Sequence, residues 1–249
     1  GGLISKICGL HKIIWNIRIA NFTKDSFKFK TFLIVLFNGI LSHFIPKKII
    51  SCSVAGIKNH IKLGYNKKIF YLIHNGFKQE KILKRSFKFS KKFTMGIFSR
   101  YHKVKNHSYL FRALSILKKK KIKFNLLLLG PNIHPQNKKL LKDIKINNIY
   151  EEVIFMKKRG IIDITKYFSY LDLYVLCSKT EGFPNILGEA IINGVNVIST
   201  NVGDAKLMLP SKLNLIPHNN DLKFSKKIEY FFNLSKKKNY YKNLSYKYS

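Results

Sequence analysis

Residues 171–200 read LDLYVLCSKTEGFPNILGEAIINGVNVIST. The opening run, 171–177, is apolar and rich in Leu, Val and Tyr, which suits a strand buried on both faces. Ser178–Gly182 is then the loop beyond that strand's carboxyl end. Pro184 fits the first turn of a helix, where a missing N–H costs nothing. The helix is expected over 185–193, with Gly194 closing it, and the β-branched segment 195–200 reads as the next strand. A strand, a helix and a strand in so short a span make one unit of a parallel sheet. The stretch also carries two of the chain's 12 acidic residues, Glu181 and Glu189.

Working outward, the same alternation continues on the N-terminal side. Strands are expected at 93–98 (FTMGIF), 123–129 (KFNLLLL, closed by Gly130-Pro131) and 153–156, and helices at 106–121, 135–146 and 162–169. The helix at 106–121 ends in lysines, which suit a helix C-terminus. This pattern predicts an α/β fold with helices on both faces of a parallel sheet. The first third is less regular. Strands are expected at 12–17, 48–52 and 69–73, and a helix at 53–63 ended by Gly64. The polar, basic stretch 79–92 has no clear period and marks a boundary. Two domains follow, 1–78 and 79–249. The apolar run 31–45 (TFLIVLFNGILSHFI) is interrupted by Asn38, Gly39, Ser42 and His43 and is shorter than the ~20 residues of a bilayer span. It is expected as a buried helix, with an interface-lying helix as the alternative.

Composition narrows the function classes. The formal net charge is +35 over 249 residues, which raises nucleic acid as a partner. Yet the cations are nearly all Lys, with Arg only at 18, 85, 100, 112 and 159, and specific base or phosphate readout favours the bidentate Arg fork. Lys, Asn, Ile, Phe and Tyr share A/T-rich codons, so the bias fits an A/T-rich genome, and no specific nucleic-acid partner is expected. An attraction to anionic membranes or phosphate-bearing ligands remains. Cys8, Cys52 and Cys177 are widely spaced and odd in number, fitting neither a zinc pattern nor a disulfide framework, so a reducing cytoplasm is expected. His102 and His107 lack a Glu partner, so no metal site is expected. No dinucleotide-binding Gly-x-Gly-x-x-Gly, phosphate loop or nucleophile elbow occurs. The chain begins Gly-Gly without Met and shows no secretory signal pattern.

In an open parallel sheet, ligands bind beyond the carboxyl ends of the strands. There, the N–H groups of Asn185, Ile186 and Leu187 are donors at a positive helix end, a ready anion site. Glu181 precedes that helix and Glu189 lies just over one turn into it. Carboxylates accept from hydroxyls, so both acids beside a phosphate site would suit a phosphorylated sugar. Spacing alone fits two plain helix-end charges equally well, each contributing ~0.3–1 kcal/mol.

The run Glu181-Gly-Phe-Pro-Asn-Ile-Leu-Gly-Glu189-Ala, followed by Gly194-Val-Asn-Val-Ile-Ser-Thr and Gly203, resembles the donor-binding Glu-x7-Glu segment of glycosyltransferase family 4 (group 1). Phe98-Ser-Arg100-Tyr-His-Lys-Val-Lys105 is similar to that family's strand-end Arg and Lys pattern. Leu126–Gly130, Asp172–Ser178 and His74-Asn75-Gly76 resemble three further family segments, in register over roughly 48–240. The resemblance implies the two-domain GT-B fold: a Rossmann-like donor domain with a partial, N-terminally truncated acceptor domain. It implies a retaining transfer of a sugar from a nucleotide diphosphate sugar to an acceptor hydroxyl, with no metal and no further cofactor. Arg100 and Lys105 would grip the diphosphate, Glu189 the ribose, and Glu181 the transferred sugar, helped by backbone around Gly182, Phe183, Pro184 and Asn185. Family analogy points to a glycan or lipid-linked acceptor in bacterial cell-surface polysaccharide synthesis, at the inner membrane surface. An inactive nucleotide-sugar-binding remnant is the second reading, and a basic nucleic-acid- or membrane-binding module the third.

Overall fold

The computed structural model describes residues 2–20, 29–78, 92–156 and 164–237. Two units emerge from its contacts. The first comprises residues 1–76 together with Thr180–Pro184 and Val202–Leu207, and the second the remainder.

In the first unit, α1 (Gly2–Ile7), β1 (Ile14–Ile17), α2 (Phe29–Leu41), β2 (Lys48–Ser51), α3 (Val54–Lys62) and β3 (Phe70–Leu72) follow in chain order. The strands form a parallel sheet ordered β1-β2-β3, with Ile14 opposite Lys48 and Ile49 opposite Phe70. α3 starts where the Ser53 hydroxyl accepts from the Gly56 N–H at 2.8 Å, a side-chain N-cap. It ends at Gly64, whose φ of +87° is left-handed.

The expected buried helix at 31–45 is corrected here. The helix exists, as α2, but Gly39 is its only buried residue. Phe29, Leu33, Ile34, Phe37 and Ile40 are all exposed, Phe29 at 74%. The reason is the narrowness of its contact. It meets the unit at Gly39, where an added Cβ would lie 2.6 Å from the Leu63 carbonyl oxygen. One turn on, the Ser42 hydroxyl donates to the Gly39 carbonyl and accepts from the Asn66 N–H. Thr31, Phe32, Val35, Leu36, Asn38 and Leu41 are only half-buried, so one face of the helix stays uncovered. Among the described residues no helix is long and apolar enough to cross a membrane.

The second unit runs through β4 (Phe93–Phe98), α4 (His107–Lys119), β5 (Phe124–Leu129), α5 (Lys138–Ile146), β6 (Val153–Phe155), α6 (Thr165–Phe168), β7 (Leu173–Leu176), α7 (Asn185–Ile192), β8 (Asn196–Thr200), β9 (Leu215–Ile216) and α9 (Asp221–Ser235); of the short α8 (Ala205–Met208), all but Met208 belongs to the first unit. Its sheet is parallel throughout and ordered β6-β5-β4-β7-β8-β9. Both faces are covered, so every residue of β4, β5 and β7 is buried and nearly all are apolar. On one face, Met95, Ile97, Leu126 and Leu128 pack with Leu110, Leu114, Phe224 and Ile228 of α4 and α9. On the other, Phe98, Phe168 and Tyr174 sit edge-on or tilted at 5.5–5.8 Å between ring centres. Asp172 joins β7 to the start of β4: its carboxylate accepts from the Thr94 N–H at 2.9 Å and its own N–H donates to the Thr94 carbonyl at 2.8 Å.

Element ends shift where side chains cap them. The helix expected at 135–146 starts at Lys138, because the Asn137 side chain accepts from the Lys139 and Leu140 N–H groups. The short helix expected at 162–169 is seen as α6, and residues 157–163 lie outside the described part. Most of the boundary stretch 79–92 also lies outside it.

Candidate functional site

The strand order of the second unit reverses between β4 and β7: the chain runs outward from β4 through β5 to β6, then returns to place β7 on β4's other side. Met95 pairs with Leu173 and Gly96 with Tyr174 across that junction. At such a switch point, loops leaving two adjacent strands diverge and open a crevice beyond their carboxyl ends. Arg100 and Lys105 lie on the loop leaving β4, and α7 follows the loop leaving β7.

The β4 loop is held from two sides. Gly130, at φ +145°, passes so close that an added Cβ would lie 2.4 Å from the Ser99 carbonyl oxygen. Beside it, the Tyr101 N–H donates to the Pro131 carbonyl at 3.0 Å. From the β7 side, the Lys179 N–H donates to the Val104 carbonyl at 2.8 Å. The buried Cys177 thiol donates to the carbonyls of Lys105 and Asn106, each at 3.3 Å. Asn106, at φ +55°, turns the chain into α4. Arg100 is exposed and Lys105 half-buried. Two cations on a clamped loop need little ordering to meet an anion.

α7 presents Asn185 exposed, Ile186 half-buried and Leu187 buried at its first turn. Gly188 sits against Phe77, where any Cβ would strike the ring. That fixes the face the helix presses inward. Glu189 is half-buried, and burial holds its carboxyl above the ordinary carboxylate value. A desolvated carboxylate with spare acceptor capacity suits ligand hydroxyls.

The loop residues Glu181, Gly182, Phe183 and Pro184 belong to the first unit. Phe183 stacks on His74 at 5.1 Å and 27°, and the His74 Nδ1–H donates to the Cys52 carbonyl at 3.0 Å. Pro184 is buried, while Glu181 and Gly182 are half-buried. Gly203 (φ +52°) lies against the same loop, and a Cβ there would stand 2.2 Å from the Gly182 carbonyl oxygen. The contacts of three residues escaped the sequence reading. Asp204 is 2% exposed; its carboxylate accepts from the Val54 and Ala55 N–H groups at 2.7 and 3.0 Å, capping α3. An acidic residue in so basic a chain, directly after a glycine, was the available signal. Ser99 and His107 flank Arg100 and Lys105 in sequence and touch each other, with Ser99 Oγ 3.3 Å from His107 Nε2.

Among the described residues no three His, Cys, Asp or Glu side chains gather as metal ligands would. The three cysteines are free thiols.

Residues 78–248 match the model of the family described as glycosyl transferases group 1. A curated relative, the putative glycosyltransferase EpsF of Bacillus subtilis (strain 168), is 31% identical over 126 residues, which are 49% of this chain and 32% of EpsF. The chain therefore matches about a third of that relative's length. Among solved structures, HepE of Anabaena in complex with UDP-glucose superposes with a TM-score of 0.80 at 19% identity, covering 100% of this chain and 71% of that one. A glycosyltransferase of Rickettsia africae superposes at 0.69 with 20% identity, covering 94% of this chain and 63% of that one. Likeness of this degree places the chain in the GT-B fold, with its parallel Rossmann-like sheets.

Proposed function

The chain belongs to the glycosyl transferases group 1 family, and from that premise we propose that it takes part in retaining transfer of a sugar from a nucleotide diphosphate sugar to an acceptor hydroxyl. The observation that carries this is the switch point, where a clamped cationic loop and the start of α7 leave adjacent strands. Arg100 and Lys105 neutralise charge developing on the departing diphosphate, and the first-turn N–H groups of α7 add to it. Glu189 accepts from the ribose hydroxyls. Glu181 accepts from hydroxyls of the transferred sugar, with the backbone of Gly182, Phe183 and Asn185 as donors. The leaving phosphate takes the acceptor proton as the acceptor attacks from the same face, so no enzyme base is obligatory, and Arg100, Lys105 and the start of α7 meet the phosphate charge in place of a metal. HepE was crystallised with UDP-glucose, which makes UDP-sugars the first donors to try. A cell-surface glycan or lipid-linked acceptor would suit the exposed apolar face of α2.

The test is a panel of nucleotide sugars titrated against the wild type and Glu189→Ala, with hydrolysis and transfer followed separately. Tight binding of one donor, weakened at least tenfold by Glu189→Ala, is expected. If no nucleotide sugar binds the wild type, the proposal falls. Binding without turnover would identify an inactive sugar-nucleotide binder.

A further inference from the structure

We propose that Ser99 is a phosphate-binding residue of this donor site, its hydroxyl left free to donate because the His107 ring donates to it. The inference rests on the donor site lying at the switch point. Ser99 directly follows β4, immediately before Arg100, and is half-buried, with Gly130 passing close to its carbonyl. Its hydroxyl lies 3.3 Å from His107 Nε2. No other hydrogen-bond partner of that hydroxyl occurs among the described residues.

His107 opens α4 and is 1% exposed. Burial, followed by the nearby Lys105 ammonium, pushes its pKa down to about 3. The ring is therefore neutral throughout the ordinary pH range, and only two tautomers need weighing. Nδ1 is buried with no hydrogen-bond partner among the described residues. If Ser99 donated to Nε2, the proton would sit on Nδ1 and a buried N–H would go unpaired. If Nε2–H donates to Ser99 Oγ, only a lone pair on Nδ1 goes unpaired. Buried orphan N–H groups are the rarer and costlier case. The second arrangement therefore holds, and it leaves the serine proton unspent. That hydroxyl, the Arg100 guanidinium and the Lys105 ammonium then present only donors, the chemistry that recognises a nucleoside diphosphate.

The experiment titrates UDP, GDP and ADP, and the three matching nucleosides, against the wild type, Ser99→Ala, His107→Phe, His107→Gln and the double variant Ser99→Ala/His107→Phe. Nitrogen-15 NMR of the wild-type imidazole between pH 5 and 8 accompanies it. Ser99→Ala is expected to weaken the preferred diphosphate about five- to tenfold and to leave its nucleoside unchanged. His107→Phe gives the same loss, the double variant adds nothing, and His107→Gln restores part of the affinity through its amide N–H. The NMR spectrum shows an Nε2-protonated neutral ring. Diphosphate affinity unchanged in Ser99→Ala, an Nδ1-protonated ring, or an equal loss of nucleoside and diphosphate affinity would each overturn the proposal. Failure of the wild type to bind any of the three diphosphates overturns the donor-site reading, and this one with it.

Discussion

Arg100 and Arg112 show why a residue's surroundings, not its type, decide its role. Arg112 donates to the Asp221 carboxylate at 2.8 Å, an exposed pair contributing ~0–1 kcal/mol. Arg100 stands at the end of β4 on a loop braced by Gly130 and Cys177. Arg100→Ala is therefore expected to weaken nucleoside diphosphate binding about ten- to a hundredfold, while Arg112→Ala leaves it within twofold; calorimetry on both variants checks this. Glu189 gives a second residue-scale prediction. Its carboxyl binds a proton more tightly folded than unfolded, because burial raises its pKa above 4.5. Its contribution to stability is then largest below the unfolded pKa and is lost as pH rises through the raised folded value. Glu189→Gln should thus slightly raise the melting temperature of the free protein at pH 7 relative to wild type, with no such gain at pH 4, while weakening donor binding. A lower melting temperature for the variant at pH 7 would contradict this. Glu181 and Glu189 were legible as candidates because acidic residues are rare in this chain and these two bracket a turn and a helix start, whereas Arg100 and Lys105 stood out only through the resemblance to the family's pattern. The roles of Ser99, His107 and Asp204 were not legible, since each depends on a partner that only the fold brings alongside: Ser99 and His107 on each other, Asp204 on the start of α3.

At the scale of elements, the two loops depend on positions that admit no side chain or exactly one acceptor. Gly130→Ala places a Cβ against Ser99 and Arg100 at a φ that L-residues avoid. It should cost at least ~2 kcal/mol and weaken diphosphate binding along with stability, read by chemical denaturation and calorimetry on the same preparation. Asp204→Ala removes the acceptor of two N–H groups at the start of α3. An N-cap loss of ~1–2 kcal/mol is expected, seen as a lower denaturation midpoint with an unchanged slope. Asp204→Asn, which keeps one acceptor, should recover part of it. Strands and helices from 93 to 200 were readable to within a few residues, because the strands are short and mostly apolar or β-branched and the longer helices carry apolar residues at helical spacing. α1, β9 and α9 were not assigned from sequence. β9 is two residues long and gives no periodic signal. α9 mixes buried Phe224, Ile228 and Phe231 with lysines that read as solvent bias.

For the molecule as a whole, charge and exposed apolar surface coincide in the N-terminal third. Residues 1–78 hold 12 Lys and one Arg against a single Asp, and α2 exposes Leu33, Ile34, Phe37 and Ile40. Lysines near an anionic surface contribute about 1 kcal/mol each, a contribution screened by salt. The protein is expected to sediment with vesicles containing phosphatidylglycerol and not with pure phosphatidylcholine, and to lose most of that binding between 0.05 and ~0.5 M salt. Binding that is absent from both vesicles would remove the membrane from the proposed acceptor site. The sequence alone determined the parallel α/β fold and the order of its strands and helices from 93 to 200, because apolar periodicity and turn residues are local properties. It also determined the family, because several weak motifs in one register are jointly improbable. Tertiary structure alone decided that one face of α2 is uncovered, that the chain reverses between β4 and β7, and which polar groups end up buried together. Those outcomes depend on which distant segments come to lie side by side, and the close passage of Gly130 by Ser99, 31 positions apart, leaves no trace in either neighbourhood of the chain.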